Sequence, residues 1–189
     1  MMLLALVCMA PMATKKVKTI TVDELYQMSQ VIATAKVESI SAVSGVKVAT
    51  AKIIKIFKGK PVTDHLKFVA QQTWTCDIST AIKGETILLY LSPVTSSLKE
   101  QEVTQLDGAA SELALNGFTL YSIGHSGRGR LALTSVKGAY AVAAYFESST
   151  LGDDWWRINT ELNLPNGKKV KRKGEDKGFI SLPDLLTYR

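Results

Sequence analysis

The sequence predicts a mainly β protein, a five-stranded antiparallel Greek-key barrel flanked by short α-helices. Three observations carry that prediction. Two long runs rich in β-branched residues, 31–40 and 46–57, are joined by the turn formers of 41–45, the pattern of a hairpin. Two shorter apolar runs, 65–70 and 85–91, each follow a turn that contains Lys-Gly. With 189 residues and 46% hydrophobic side chains, the chain can bury a core as one domain without disulfides or metal.

The chain opens with MMLLALVCMAPMA, which carries no charged side chain and precedes the basic TKKVK. Residues 1–13 therefore read as the apolar core and small-residue exit of a secretory signal, cut after Ala10 or Ala13. A secreted or periplasmic, cell-envelope location is the expectation. No stretch reaches the roughly 20 apolar residues of a membrane helix. Val7 directly before Cys8 is too bulky for the acylated-cysteine pattern, so plain cleavage is favoured over lipidation. Cleavage leaves Cys76 as the remaining cysteine, which rules out an intramolecular disulfide and argues against a thiolate metal site.

Thr21-Val-Asp-Glu24 has the spacing of a capping box, and it opens a short helix over 22–30 with Leu25 and Met28 on one side. The run 46–57 contains an irregularity. Val46, Val48, Ile54 and Ile56 share a parity with Lys52, so a β-bulge near 51–53 is expected to move Lys52 off the buried face, the alternative being a plain strand with Lys52 snorkelling at its edge. Residues 85–91 place Ile87, Leu89 and Leu91 on one face and Leu88 and Tyr90 on the other, as in a central or covered strand.

FKG at 57–59, the Trp-x-Cys loop ending at Cys76, and Gly84-Glu85 followed by Tyr90 resemble the bacterial relatives of the tissue inhibitor of metalloproteinases and netrin-module family. The resemblance spans about residues 31–93. It implies an OB-fold barrel, and for activity it implies metalloprotease inhibition through an N-terminal cysteine that chelates the protease zinc. The chain departs from the family there: cleavage leaves no Cys-x-Cys near the new terminus, so inhibition is disfavoured. Cys76 matches a family disulfide position and has no partner.

Residues 98–117 turn acidic, Ala-rich and helix-compatible, an insertion suited to pack across the barrel. The β pattern then returns in TLYSIG, LALTSV and AYAVAAYF. Between the first two lies GHSGRGR, 124–130. The spacing fails a nucleophile elbow, because Arg128 stands where glycine is required, and it fails the dinucleotide and P-loop patterns because no helix follows. Two readings remain: a glycine-rich hairpin offering Arg128 and Arg130 to an anion, or a mobile tip with solvated arginines.

Catalysis and metal binding are limited by supply. His65 and His125 are the two histidines, neither sits in a zinc-ligand spacing, and a hydrolase would have to combine Ser126 with the adjacent His125. No catalytic residue, metal or cofactor is assigned. After the barrel domain of 14–150, a C-terminal extension of 151–189 carries Trp155-Trp156, which read as cover for a barrel edge, a basic hairpin and a terminal helix starting near Ser181.

The net charge of +6 favours an acidic protein, a polyanion or an anionic surface. Lys168, Lys169, Lys171, Arg172 and Lys173 concentrate it in the tail and leave the barrel closer to neutral. The expected function is an exported, non-catalytic binding domain that meets this partner through Arg128, Arg130 and the tail cations. Nucleic acid is disfavoured by the exported location.

Overall fold

The computed structural model describes residues 22–73, 77–94, 103–136, 139–145, 161–163, 169–171 and 177–186. A short helix, α1 (Val22–Met28), forms where the capping box predicts one; Thr21 lies outside the described residues. Strands β1 (Val31–Val43) and β2 (Val46–Lys58) form the hairpin. The turn between them is tighter than expected. Val43 pairs with Val46, and Ser44 and Gly45 occupy positive φ of 45° and 80°, the two-residue turn whose twist suits antiparallel strands.

Strands β3 (His65–Val69) and β4 (Thr86–Pro93), helix α2 (Val103–Leu115) and strand β5 (Leu120–Ile123) complete the domain. The strands close on themselves in the order β1-β2-β3-β5-β4, with β4 returning to β1. The all-antiparallel expectation is corrected at one seam, where β3 and β5 run parallel through Lys67↔Leu120 and Phe68↔Tyr121. Geometry requires this. Strand direction cannot alternate around a closed ring with an odd number of members, so a five-stranded barrel needs a parallel pair.

The barrel interior holds Ala33, Ala35, Val37, Ala49 and Ala51 from β1 and β2 against Leu66, Phe68, Ile87, Leu89 and Leu91. Small side chains opposite large ones suit the interior of a narrow barrel. A second cluster lies outside the wall, where Leu106, Ala109 and Leu113 of α2 cover Val46, Val48, Val69 and Leu120.

That outer cluster corrects the reading of Lys52. Val46 and Val48 face outward beneath α2, not into the barrel, and Lys52 continues along the same face into solvent. No bulge at 51–53 is needed. The irregularities fall at Glu38 in β1 and at Ile54 and Phe57 in β2, each of which the register skips.

The sheet continues past the barrel through β6 (Arg130–Val136) and β7 (Ala139–Tyr145). The C-terminal part adds a two-stranded sheet, β8 (Glu161–Asn163) with β9 (Lys169–Lys171), then β10 (Lys177–Ser181) and helix α3 (Leu182–Leu185). β10 pairs antiparallel with β7. Lys58 ties α1 to the barrel, its Nζ donating to the Tyr26 carbonyl at 2.7 Å and the Gln27 carbonyl at 3.2 Å, where the last helical carbonyls need donors.

Candidate functional site

The GHSGRGR string is neither a hairpin nor a free tip. Leu91 pairs with Ile123 and Leu89 with Arg130, so β5 and β6 lie along one side of β4 as a single strand interrupted opposite Tyr90. The Tyr90 carbonyl accepts from Gly124 N at 2.8 Å and the Tyr90 amide donates to Gly129 O at 2.8 Å; residues 125–128 are extruded between them. Both ends are tight, and glycine fits them most closely. A Cβ on Gly129 would lie 2.9 Å from Tyr90 O, and one on Gly124 would lie 3.0 Å from Leu25 Cδ1.

The extruded loop docks on the segment after β3. Ile78 N donates to Ser126 O at 3.0 Å, and a Cβ on Gly127 would fall 2.3 Å from Ser79 N. His125 and Ser126 carry positive φ of 50° and 55°. Gly127 and Gly129 are buried and the other loop residues half-buried, so the reading of a mobile tip is corrected by this packing. The facing segment is itself braced: Asp77 is buried, accepting from Thr73 N at 2.9 Å and Thr73 Oγ1 at 2.7 Å on one oxygen and from Ser79 N at 2.8 Å on the other.

Of the residues expected to bind an anion, Arg128 and Arg130 lie in and directly after the extruded loop, and Lys169 and Lys171 lie on β9. Arg130 forms a two-point ion pair with Glu85, Nε at 3.3 Å from Oε1 and Nη2 against Oε2, with side-chain exposures of 15% and 13%. Its guanidinium fork holds β6 against the turn before β4. Arg128 is half-buried in the extruded loop. Lys169 and Lys171 lie on β9, with Lys171 opposite Glu161 in the register, while Lys168, Arg172 and Lys173 lie outside the described residues. Cys8, Cys76, Trp155 and Trp156 also lie outside them.

The structure instead assembles cations on the barrel wall. Residues 31–69 hold seven lysines (36, 47, 52, 55, 58, 60 and 67) against two carboxylates, Glu38 and Asp64, so this part of the barrel wall is cationic. On the outward face Lys36 stands directly opposite Lys52, and Lys52 opposite His65. The next outward row is Ser39, Thr50 and Lys67, with Lys67 Nζ donating to Thr50 Oγ1 at 3.0 Å and lying 4.6 Å from the Phe118 ring centroid.

Both carboxylates of this face are engaged by His65, whose Nε2 lies 3.1 Å from Glu38 Oε2 and Nδ1 2.7 Å from Asp64 Oδ1. Lys36 and Lys52 are exposed, and among the described residues no salt bridge joins either to a carboxylate. Like charges directly across a ladder are destabilising. An external anion would relieve that repulsion. The sequence carried a signal for this band in its lysine count over 31–69, but parity alone assigned Lys52 to a bulge.

Burial, and secondarily Tyr26, pushes the Tyr90 phenol above the ordinary tyrosine range. Among the described residues no group of three or more His, Cys, Asp or Glu could hold a metal ion, and no helix is long and apolar enough to cross a membrane. No protein-family model and no curated protein sequence matches the chain.

Proposed function

We propose that this chain is a non-catalytic binding module of OB-like architecture that recognises an acidic partner through the outward face of β1, β2 and β3. The carrying observation is the Lys36–Lys52 cross-strand pair, two exposed cations held side by side without a carboxylate. OB-type barrels bind their ligands on the strand 2–3 face, between the loop joining strands 1 and 2 and the loop joining strands 4 and 5. The ring order and the β3–β5 parallel seam support that architecture. The loop of Ser44 and Gly45 and the α2 connection bound the face at one end, joined by Ser44 Oγ donating to Glu112 Oε2 at 2.7 Å.

The apolar segment of residues 1–13, outside the described residues, supports an exported location. Lys36, Lys52 and Lys67 form the primary contact in this reading, and the tail cations add a diffuse attraction that raises the encounter rate. Retention on a sulfated polysaccharide support tests it. Lys36→Ala/Lys52→Ala/Lys67→Ala should elute at markedly lower salt than a variant neutralised at Lys168, Lys169, Lys171, Arg172 and Lys173. Elution of the triple variant with the unmodified protein would overturn the proposal.

A further inference from the structure

A cleft of about 230 Å³ opens at one end of the barrel between α1, α2 and the extruded loop. Its apolar walls include Leu25, Val69 and Ile123, and its polar lining includes Ser29, Asp77, Ser92, Ser122, His125 and Ser126. A space of this volume admits several waters or a small molecule.

The hydrogen bonds of the lining turn several of its hydroxyls into acceptors. Ser29 Oγ donates to Leu25 O at 2.7 Å, Ser92 Oγ to Met28 O at 3.2 Å and Ser122 Oγ to Ser92 O at 3.2 Å. A hydroxyl has one proton, so each of these oxygens faces the cleft with acceptor lone pairs only. Thr73 Oγ1 has likewise given its proton to Asp77. Asp77, a residue 3% exposed, adds a buried carboxylate acceptor, among the described residues neither lysine nor arginine lines the space, and Ser79, His125 and Ser126 add groups that can donate as well as accept. An anion would meet lone pairs and a carboxylate there. A cation with several N–H groups would meet complementary acceptors.

His125 and Ser126 reach this lining from a left-handed backbone that non-glycine residues seldom adopt. Strained backbone of this kind gathers at ligand-binding sites. From the cleft, its acceptor lining and the strained loop at its rim, we infer that the barrel end is a binding site for a small organic ammonium compound. This site is separate from the lysine face and selects the opposite charge.

Backbone chemical-shift titration of the full chain with three probes of similar size, ethanolamine, ethylene glycol and glycolate, tests it. Ethanolamine should shift the amides of Thr73, Ser79 and Gly127 saturably, while ethylene glycol and glycolate at the same concentrations should not. Asp77→Asn should weaken ethanolamine about tenfold or more, the worth of a charge-assisted hydrogen bond. Ser92→Ala/Ser122→Ala, which removes acceptors away from the Asp77 brace, gives a readout even if Asp77→Asn fails to fold, and should weaken binding severalfold. The inference is overturned by glycolate binding as well as ethanolamine, by no saturable response to ethanolamine, or by full affinity in the serine double variant.

Discussion

Gly127→Ala places a methyl group where the backbone of the facing segment already lies. The added Cβ would meet Ser79 N at 2.3 Å, Ile78 C at 2.5 Å and Ser79 Cα at 2.8 Å, all main-chain atoms that no rotamer change can move aside. The residue also sits at φ 86°, which costs an alanine about 1–2 kcal/mol. Overpacking of this kind adds about 1–3 kcal/mol, for a total near 3 kcal/mol. Gly84 is the matched control, since its φ is 89° and a Cβ there meets nothing within 4 Å. Gly84→Ala should therefore lose only the left-handed part, about 1–2 kcal/mol. Urea unfolding followed by tryptophan fluorescence measures both. A chain of this length loses about 2–4 °C of Tm per kcal/mol, so the two variants should separate by several degrees as well. Equal stabilities for the two variants would refute a docked extruded loop.

Three further outcomes follow from the packing and the charges. Glu85→Gln should cost roughly 2–3 kcal/mol by leaving the Arg130 guanidinium half-buried without its carboxylate, and Glu85→Leu/Arg130→Met should recover most of that in a double-mutant cycle. Leu106→Ala should cost about 2–4 kcal/mol in urea unfolding by opening the contact between α2 and the barrel wall. Tyr90 makes stability fall in alkali: the folded state keeps its phenol proton above the ordinary value of about 10, so the unfolded chain releases protons first. The contribution is intact below about pH 10 and lost above it, at up to about 1.4 kcal/mol per pH unit, and Tyr90→Phe should remove that slope from unfolding curves taken between about pH 9 and 12.

Much of the fold was legible because its strands are written locally. β-Branched runs and Lys-Gly turns mark β1 to β4 within a few residues, and the two-faced pattern of Leu88 and Tyr90 identified β4, which pairs with β1, β5 and β6. What was not legible depends on contacts between distant segments. The parity of Lys52 with Val46 and Val48 looks like a bulge until α2, more than fifty residues on, covers that face. Arg130 reads as a free guanidinium until the ladder brings it beside Glu85. The glycines of GHSGRGR look like hairpin punctuation until their neighbours Tyr90 and Ser79 are in place.

The lysine face was hidden for a different reason. Total charge drew attention to the dense tail run, whereas Lys36 and Lys52 are 16 residues apart in sequence and become neighbours only through the register of β1 on β2. Chemical-shift mapping with a sulfated oligosaccharide tests the central claim most directly. The binding-module account predicts that the largest saturable changes fall on Lys36, Thr50, Lys52, His65 and Lys67 and weaken with added salt. Changes confined to residues 168–173, with β1, β2 and β3 undisturbed, would contradict it.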